Sequence, residues 1–331
     1  MSGRRPLVVA ALVAVLLAAA CSRDDLPEAT PLCDLGRNND QGVVGHDLAA
    51  SAALPDGRVL FAFGDTYLGR ITGGERVATG LLNSTGAVIP AGDDVCSDRI
   101  RYLTGDDGEP RALLPDPPRE ATAFWPVDLA VHDGRVWMLY RWVERTGDGR
   151  LDIGTLGTGL AVADPDELEF TPADRLLVVG GIPVPSSLRE HDGRLVALVC
   201  VGGDDRDCRL REVDTDATEI GEALPGPPID LSAAEMGLGR VDVGGRQVWQ
   251  VSSMPGLACR LQVARFIDDE WWTETVLAPD TDDGALCYAG RVQEPYSTAD
   301  TLTVTWVQSP ERRRNADAYW PHVERVDLTE E

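Results

Sequence analysis

A short motif that recurs along this chain constrains its fold more than any other feature. Asp-Gly-Arg or a variant of it precedes an apolar run at five places, with the turn position at residues 57, 134, 193, 245 and 301. Asp-Gly between two apolar runs is a strong hairpin signal, because a type I′ turn requires positive φ at both central residues. The chain is therefore predicted to be built from repeated β-hairpins.

The spacing of these turns predicts the architecture. Successive turn positions are 77, 59, 52 and 56 residues apart, and roughly fifty to sixty residues is the length of a four-stranded blade with its loops. Convincing helical periodicity is absent. The sequence thus predicts an all-β fold, a five-bladed β-propeller, with a β-sandwich as the alternative. Residues 322–326 are expected to close the ring by pairing with the first blade.

The N-terminal segment has the pattern of a bacterial lipoprotein signal. Arg4 and Arg5 precede an apolar run over residues 7–20, which is too short to span a bilayer, and three alanines precede Cys21. We expect an exported protein, anchored to the outer face of the cell membrane through a lipid on Cys21; an ordinary secretory signal is the alternative. The predicted division is a signal peptide over 1–20, a tether over 21–35 and one propeller domain over 36–329.

Charge and cysteine content narrow the function classes. The formal net charge of −25 argues against binding to nucleic acid or, by charge alone, to anionic lipid. The expected partner is a polysaccharide or oligosaccharide, and the protein is expected to be a monomer. Six cysteines besides Cys21 allow fifteen full pairings. We predict Cys33–Cys96, Cys200–Cys208 and Cys259–Cys287. The spacings do not indicate structural zinc, no cofactor is predicted, and bound calcium is left open.

Acidic residues stand where the inner strand of each blade should begin, at the mouth of the central channel. Counting back ten residues from the turn glycine reaches Asp47 in the first blade and Glu235 in the fourth. Asp128 and Glu294 lie six and seven residues before their turn positions, whereas the start of the third blade has only hydroxyls. Asp65, at the end of the first blade's second strand, should return to the same mouth.

Converging carboxylates are what glycoside hydrolysis requires, since one must donate a proton while another stays ionised. The sequence predicts catalytic roles for three residues: Asp47 and Asp65 as the core carboxylate pair, and Asp128 as an orienting or pKa-setting group. The predicted substrate-binding residues are His46, Asn83, Trp125, Tyr140, Trp142, Glu235 and Glu294. The alternatives are that the acids are solvated surface groups and that His46 is a packed structural histidine. No GxSxG, P-loop, HExxH or Rossmann glycine pattern is present.

Residues 55–67, PDGRVLFAFGDTY, resemble the signature of the DUF4185 family, and residues 83–85, 158–163 and 294–300 are similar to its later segments. The resemblance implies a five-bladed propeller related to arabinanases and furanosidases, some of whose members are endo-D-arabinanases. The segment FWPVD, ending at Asp128, resembles the WAPD segment of arabinanase propellers, whose Asp tunes the catalytic acid. Taken residue by residue, these resemblances favour Asp47, Asp65 and Asp128 as site residues.

One departure separates the chain from that pattern. Arabinanase propellers place an acid Glu at the mouth of blade three, and residues 183–187 contain none. Two hypotheses follow. The first is a cell-surface glycoside hydrolase acting on an envelope or environmental polysaccharide, such as an arabinan-like furanoside. The second is a non-catalytic lipoprotein propeller that binds glycan or another envelope component.

Overall fold

The computed structural model describes residues 26–149, 152–201, 207–231, 235–281, 285–309 and 315–328. Within these ranges the chain forms 23 β-strands and two 3₁₀ helices, Pro255–Leu257 and Glu294–Tyr296, with no α-helix. No helix in the same ranges is long and apolar enough to cross a membrane. The predicted signal peptide and Cys21 lie outside the described residues.

Five four-stranded antiparallel sheets form the blades of a five-bladed β-propeller, which confirms the predicted fold. From the inner to the outer strand, the first four blades are β3 (Ala50–Ala53), β4 (Val59–Phe63), β7 (Thr85–Ile89) and β8 (Arg101–Tyr102); β9 (Thr122–His132), β10 (Arg135–Arg145), β11 (Ile153–Ala163) and β12 (Thr171–Val179); β13 (Val184–His191), β14 (Arg194–Val201), β15 (Asp207–Asp214) and β16 (Glu219–Ala223); β17 (Met236–Val243), β18 (Arg246–Ser253), β19 (Leu261–Ile267) and β20 (Glu270–Leu277). The fifth blade is β21 (Leu286–Val292), β22 (Thr301–Ser309), β23 (Pro321–Asp327) and β1 (Glu28–Asp34).

The repeated motif forms the turn between the inner and second strands of the first four blades. Asp133 and Gly134 have φ of 49° and 68°, and Asp192 and Gly193 have 50° and 75°, as a type I′ turn requires. In the fifth blade the connection is longer and contains the 3₁₀ helix Glu294–Tyr296. This insertion explains why the fifth copy of the motif is the weakest.

The ring closes differently from the sequence-based expectation. Residues 322–326 lie in β23, the third strand of the fifth blade, and pair with β22 and β1 rather than with the first blade. The closing strand β1 falls inside the range predicted as a tether, so the folded domain already includes Glu28. Its side chains are half-buried or exposed, because an outermost strand has little apolar burial, and such a segment resembles a linker in sequence.

A three-stranded sheet accounts for the long first repeat. It consists of β2 (Val43–His46), β5 (Thr66–Thr72) and β6 (Glu75–Leu82), with the β5–β6 hairpin inserted between the second and third strands of the first blade. Arg76, in β6, is buried and donates hydrogen bonds of 2.6 Å to the carbonyl oxygens of Val44 and Ala318. These contacts hold the inserted sheet against the loop that precedes β23.

All three predicted disulfides are present and confirm the cysteine pairing: Cys33–Cys96, Cys200–Cys208 and Cys259–Cys287. Cys33 lies in the closing strand β1, and Cys96 lies between β7 and β8 of the first blade. The first of these bonds therefore joins the two ends of the ring covalently.

Replacing Cys33 and Cys96 together with Ser is expected to lower the free energy of unfolding by about 2–4 kcal/mol. The bond spans 63 residues, so its removal frees a long loop in the unfolded chain. Cys200 and Cys208 span only 8 residues; their replacement should cost about 1–2 kcal/mol less in the chain-entropy treatment. Urea titrations of the oxidised variants provide the measurement, and an equal or larger loss for the short loop would contradict this ranking.

Candidate active site

Two carboxylates of the first blade meet at the mouth of the channel. Asp47 immediately precedes the inner strand region, and Asp65 follows β4, so both lie at the end where inner strands begin. The amide nitrogen of Gly64 donates a 3.0 Å hydrogen bond to the carbonyl oxygen of Asp47. A Cβ atom at position 64 would overlap Oδ1 of Asp47. Glycine at position 64 thus permits the close approach that brings Asp65 beside Asp47.

Two tyrosines hold the Asp47 carboxylate. Tyr288 and Tyr319 donate hydrogen bonds of 3.0 and 2.9 Å to the same oxygen, Oδ2. Burial raises the pKa of Asp47 well above its usual value, and the charges of Asp65 and Glu235 raise it further, while the two tyrosines act in the opposite direction. Asp47 therefore retains a proton to higher pH than an ordinary aspartate.

Asp65 and Glu235 complete a set of three coupled carboxyl groups. The indole nitrogen of Trp125 donates a 3.0 Å hydrogen bond to Oδ1 of Asp65. Burial raises the pKa of Glu235, whereas the guanidinium groups of Arg141 and Arg291 lower it. Glu235 precedes β17 of the fourth blade, as its position before the turn predicted. Repulsion between neighbouring carboxylates keeps one of them, here Asp47, protonated to higher pH, which suits it to donating a proton.

Asp128 lies deeper in the channel than the predicted catalytic position. It is 5% exposed, in the middle of β9, and forms a 3.0 Å ion pair with Arg291. The amide nitrogen of Leu188 (2.9 Å) and the hydroxyl of Ser187 also donate to its Oδ2. Both oxygens of Asp128 accept hydrogen bonds from protein donors, and its partner Arg291 in turn lowers the pKa of Glu235. This arrangement agrees with the predicted orienting or pKa-setting role of Asp128.

Glu294 is at the opposite end of the channel from the mouth. It follows the inner strand β21 rather than preceding it, and it forms an ion pair with Arg189. The sequence-based count misplaced it because the fifth connection contains the extra 3₁₀ helix. A substrate at the mouth does not reach this carboxylate, so its predicted binding role is not supported.

The aromatic candidates divide between mouth and core. Tyr140 is 3% exposed and packs on Phe124 with ring centroids 4.9 Å apart; Trp142 is half-buried against the same ring at 5.9 Å. Tyr140 is therefore a core residue and not a sugar-binding one. Trp125 lies at the mouth, and Asn83 lies in the turn between β6 and β7, beside the end of β4.

His46 is a packed structural histidine, which was the alternative to its predicted substrate contact. It is fully buried; its Nε2 lies 2.8 Å from the hydroxyl of Tyr102, and its ring lies 3.8 Å from that of Phe63. Burial, with a smaller contribution from the charge of Arg76, lowers the pKa of His46 to about 3. The residue is neutral in the folded protein at neutral pH.

The buried neutral His46 should make the protein less stable in acid. Below a pH of about 6.5, the pKa of His46 in the unfolded chain, the unfolded protein binds a proton on this imidazole and the folded protein does not. His46 therefore contributes a loss of about 1.4 kcal/mol per pH unit as the pH falls from about 6.5 towards 3. A His46→Gln variant should show a shallower loss in urea titrations between pH 6.5 and 4. Parallel pH profiles for the two proteins would contradict this account.

Three residues of the site were not identified from the sequence. Tyr288, Tyr319 and Arg141 come from β21, from the loop before β23 and from β10. In each blade the inner strand starts at the mouth end of the propeller, the second strand ends there, and the third strand starts there. Applying that topological rule to every strand, as was done for Asp65, would have located Tyr319. Among the described residues, no group of three or more His, Cys, Asp or Glu side chains is arranged to hold a metal ion.

Comparison with known proteins supports the fold. A family model described as a domain of unknown function, DUF5005, matches residues 35–178, which span the first two blades and the inserted sheet. The resemblance to DUF4185 remains a prediction. Comparison with curated proteins gives no match.

The solved structures that resemble this chain include family-43 glycoside hydrolases. A Bacteroides ovatus protein is 14% identical, with 87% of each chain covered and a TM-score of 0.65. A GH43_1 enzyme from Xanthomonas citri in complex with xylotriose is 13% identical, covering 92% of this chain and 91% of that chain, with a TM-score of 0.55. A GH43 β-xylosidase/α-arabinofuranosidase from a compost metagenome is 12% identical, covering 92% and 96%, with a TM-score of 0.54. At these identities the likeness concerns the fold.

Proposed function

We propose that this protein is a glycoside hydrolase that acts on a polysaccharide by paired-carboxylate catalysis. The observation that carries the proposal is the convergence of Asp47, Asp65 and Glu235 at the channel mouth, where their charges raise the pKa of Asp47. Asp47, the carboxyl with the strongly raised pKa, is the general acid. Asp65, held by Trp125, is the carboxylate that attacks or activates water.

The substrate class is proposed from the similar structures. Two of them carry xylotriose, and one is named a β-xylosidase/α-arabinofuranosidase. We propose that the substrate is a pentose-containing polymer, and an arabinan-like furanoside is the preferred candidate. The test is to incubate the soluble domain with arabinan, xylan and galactan and to separate the products by chromatography. Release of oligosaccharides from a pentose polymer supports the proposal; release from none of the polymers contradicts it.

A non-catalytic glycan-binding propeller is the second candidate. The observation in its favour is the start of blade three, where Ser186 and Ser187 are fully buried and no carboxylate is present. The same polymers distinguish the two functions. Retention of the protein on an immobilised polymer without any released product supports binding alone.

We also propose that the protein is exported and anchored to the outer face of the cell membrane by a lipid on Cys21. The basic residues, the short apolar run and the small residues before Cys21 support this proposal. Mass spectrometry of the membrane-extracted protein should show an acylated N-terminal Cys21. A mature protein with an unmodified residue at that position would contradict it.

Removing one tyrosine hydroxyl should identify the role of Asp47. Tyr288→Phe or Tyr319→Phe deletes a donor that favours the ionised carboxylate, so the pKa of Asp47 should rise further. If Asp47 is the general acid, it must be protonated for catalysis. The basic limb of the plot of kcat against pH should then move to higher pH. A shift of the acidic limb instead would make Asp47 the base. Tyr140→Phe, in the core, serves as the control.

A further inference from the structure

We infer that the channel mouth faces away from the membrane, so that its ligand is a glycan lying beyond the bilayer and not the headgroup of a lipid in the same bilayer. This inference rests on the proposed anchor at Cys21, and it concerns which face of the propeller that anchor holds towards the lipid. This orientation limits the substrate to polymers that lie on the side of the protein away from the bilayer.

The direction of β1 carries the inference. Glu28 pairs with Asp327, and Asp34 pairs with His322. Asp327 also pairs with Thr301, and the amide nitrogen of Leu328 donates to the carbonyl oxygen of Asp300. The chain therefore enters the propeller at the end that holds the Asp-Gly turns, and it reaches the mouth only after climbing the full outer edge of the fifth blade.

With the mouth towards the bilayer, the tether would have to be almost fully extended along the outside of the propeller. Seven Cα–Cα steps lead from Cys21 to Glu28, and a fully extended segment of that length spans at most about 25 Å. An inner strand such as β13, with eight residues, is about 26 Å long. The turn end is thus the end nearest to the anchor, and the mouth lies about one strand length beyond it.

The entry point is fixed to the domain by covalent and polar contacts. The disulfide Cys33–Cys96 joins β1 to the first blade. Asp34 lies 2.7 Å from Nδ1 of His322, and the amide nitrogen of Leu35 donates a 2.9 Å hydrogen bond to the carbonyl oxygen of Pro321. These contacts fix β1 to the domain, so the tether joins the propeller at a defined point.

Two positions on the second blade provide a matched test. Arg135 starts β10 at the turn end, and Val179 ends β12 at the mouth end, where it is 81% exposed. Each would be replaced with p-azidophenylalanine in the oxidised chain 21–331. Cys21, the cysteine outside the three disulfides, would be coupled to a maleimide lipid in phosphatidylcholine vesicles. The vesicles would also contain a lipid that bears a cyclooctyne on its headgroup, which reacts with an azide that lies near the bilayer surface.

We expect the azide at position 135 to react with the cyclooctyne lipid at least about tenfold faster than the azide at position 179. A soluble cyclooctyne dye should label both positions at similar rates. Equal or reversed rates with the lipid reagent would overturn the inferred orientation. Because the anchor is attached chemically, the result does not depend on acylation in the cell, which mass spectrometry tests separately.

Discussion

Replacing Asp47 or Asp65 with Asn is expected to lower kcat on the cleaved polymer by about 10²–10⁴-fold, the usual contribution of a general acid or base. Asn preserves the size of each side chain and still accepts hydrogen bonds from Tyr288, Tyr319 or Trp125. Each variant therefore loses the carboxyl group that would donate or accept a proton and keeps most of its hydrogen bonds. Initial rates of product release at saturating polymer provide the measurement.

Asp133→Asn is the matched control for these two variants. Asp133 is exposed and lies at the turn end of the propeller with φ of 49°, a conformation that Asn adopts readily. Its activity should equal that of the parent protein. Retention of more than about a tenth of the activity by both Asp47→Asn and Asp65→Asn would exclude the pair from general acid–base catalysis.

Replacing Asp128 with Ala should destabilise the protein by about 3–5 kcal/mol, the usual effect of leaving one member of a buried ion pair uncompensated. Asp128 is 5% exposed and Arg291 is 2% exposed. Without Asp128, the Arg291 guanidinium loses its ion-pair partner and keeps the hydrogen bonds to the carbonyl oxygens of Val127 and Met236 and the weaker attraction of Glu235. Urea unfolding at neutral pH measures the loss.

An exposed pair on the fourth blade serves as the comparison for this variant. Arg246 and Asp268 lie 3.1 Å apart, with side chains that are 64% and 75% exposed. Arg246→Ala should change the free energy of unfolding by no more than about 1 kcal/mol, because solvent screens the pair. A loss below about 1 kcal/mol for Asp128→Ala would mean that Arg291 finds other partners or water.

Local signals in the sequence were sufficient for the repeat. The Asp-Gly turns carry their own backbone preference, so four of the five inner hairpins are readable without tertiary information. The same sequence did not reveal β1, because an edge strand with partly exposed side chains has no distinctive pattern. Strand pairing between the two ends of the chain is a non-local interaction that composition does not record.

The site was predictable only in part, and the reason is geometric. Asp47 and Glu235 occupy the same position relative to their turns, so a single count located both. Asp128 failed that count by four residues and lies in the strand instead of at its start. His46 and Tyr140 are polar or aromatic residues adjacent to the predicted mouth, but their side chains point into the core. One residue along a strand reverses the direction of a side chain.

The recurring Asp-Gly motif predicted the number of blades and the end of the propeller at which Asp47, Asp65 and Glu235 lie, because a turn type and a strand period are local properties of the chain. Only the tertiary structure decided which groups share the mouth. Tyr288 and Tyr319 reach Asp47 across 241 and 272 residues of sequence. Their approach depends on the closure of the ring by β1, and no local pattern encodes a contact formed by that closure.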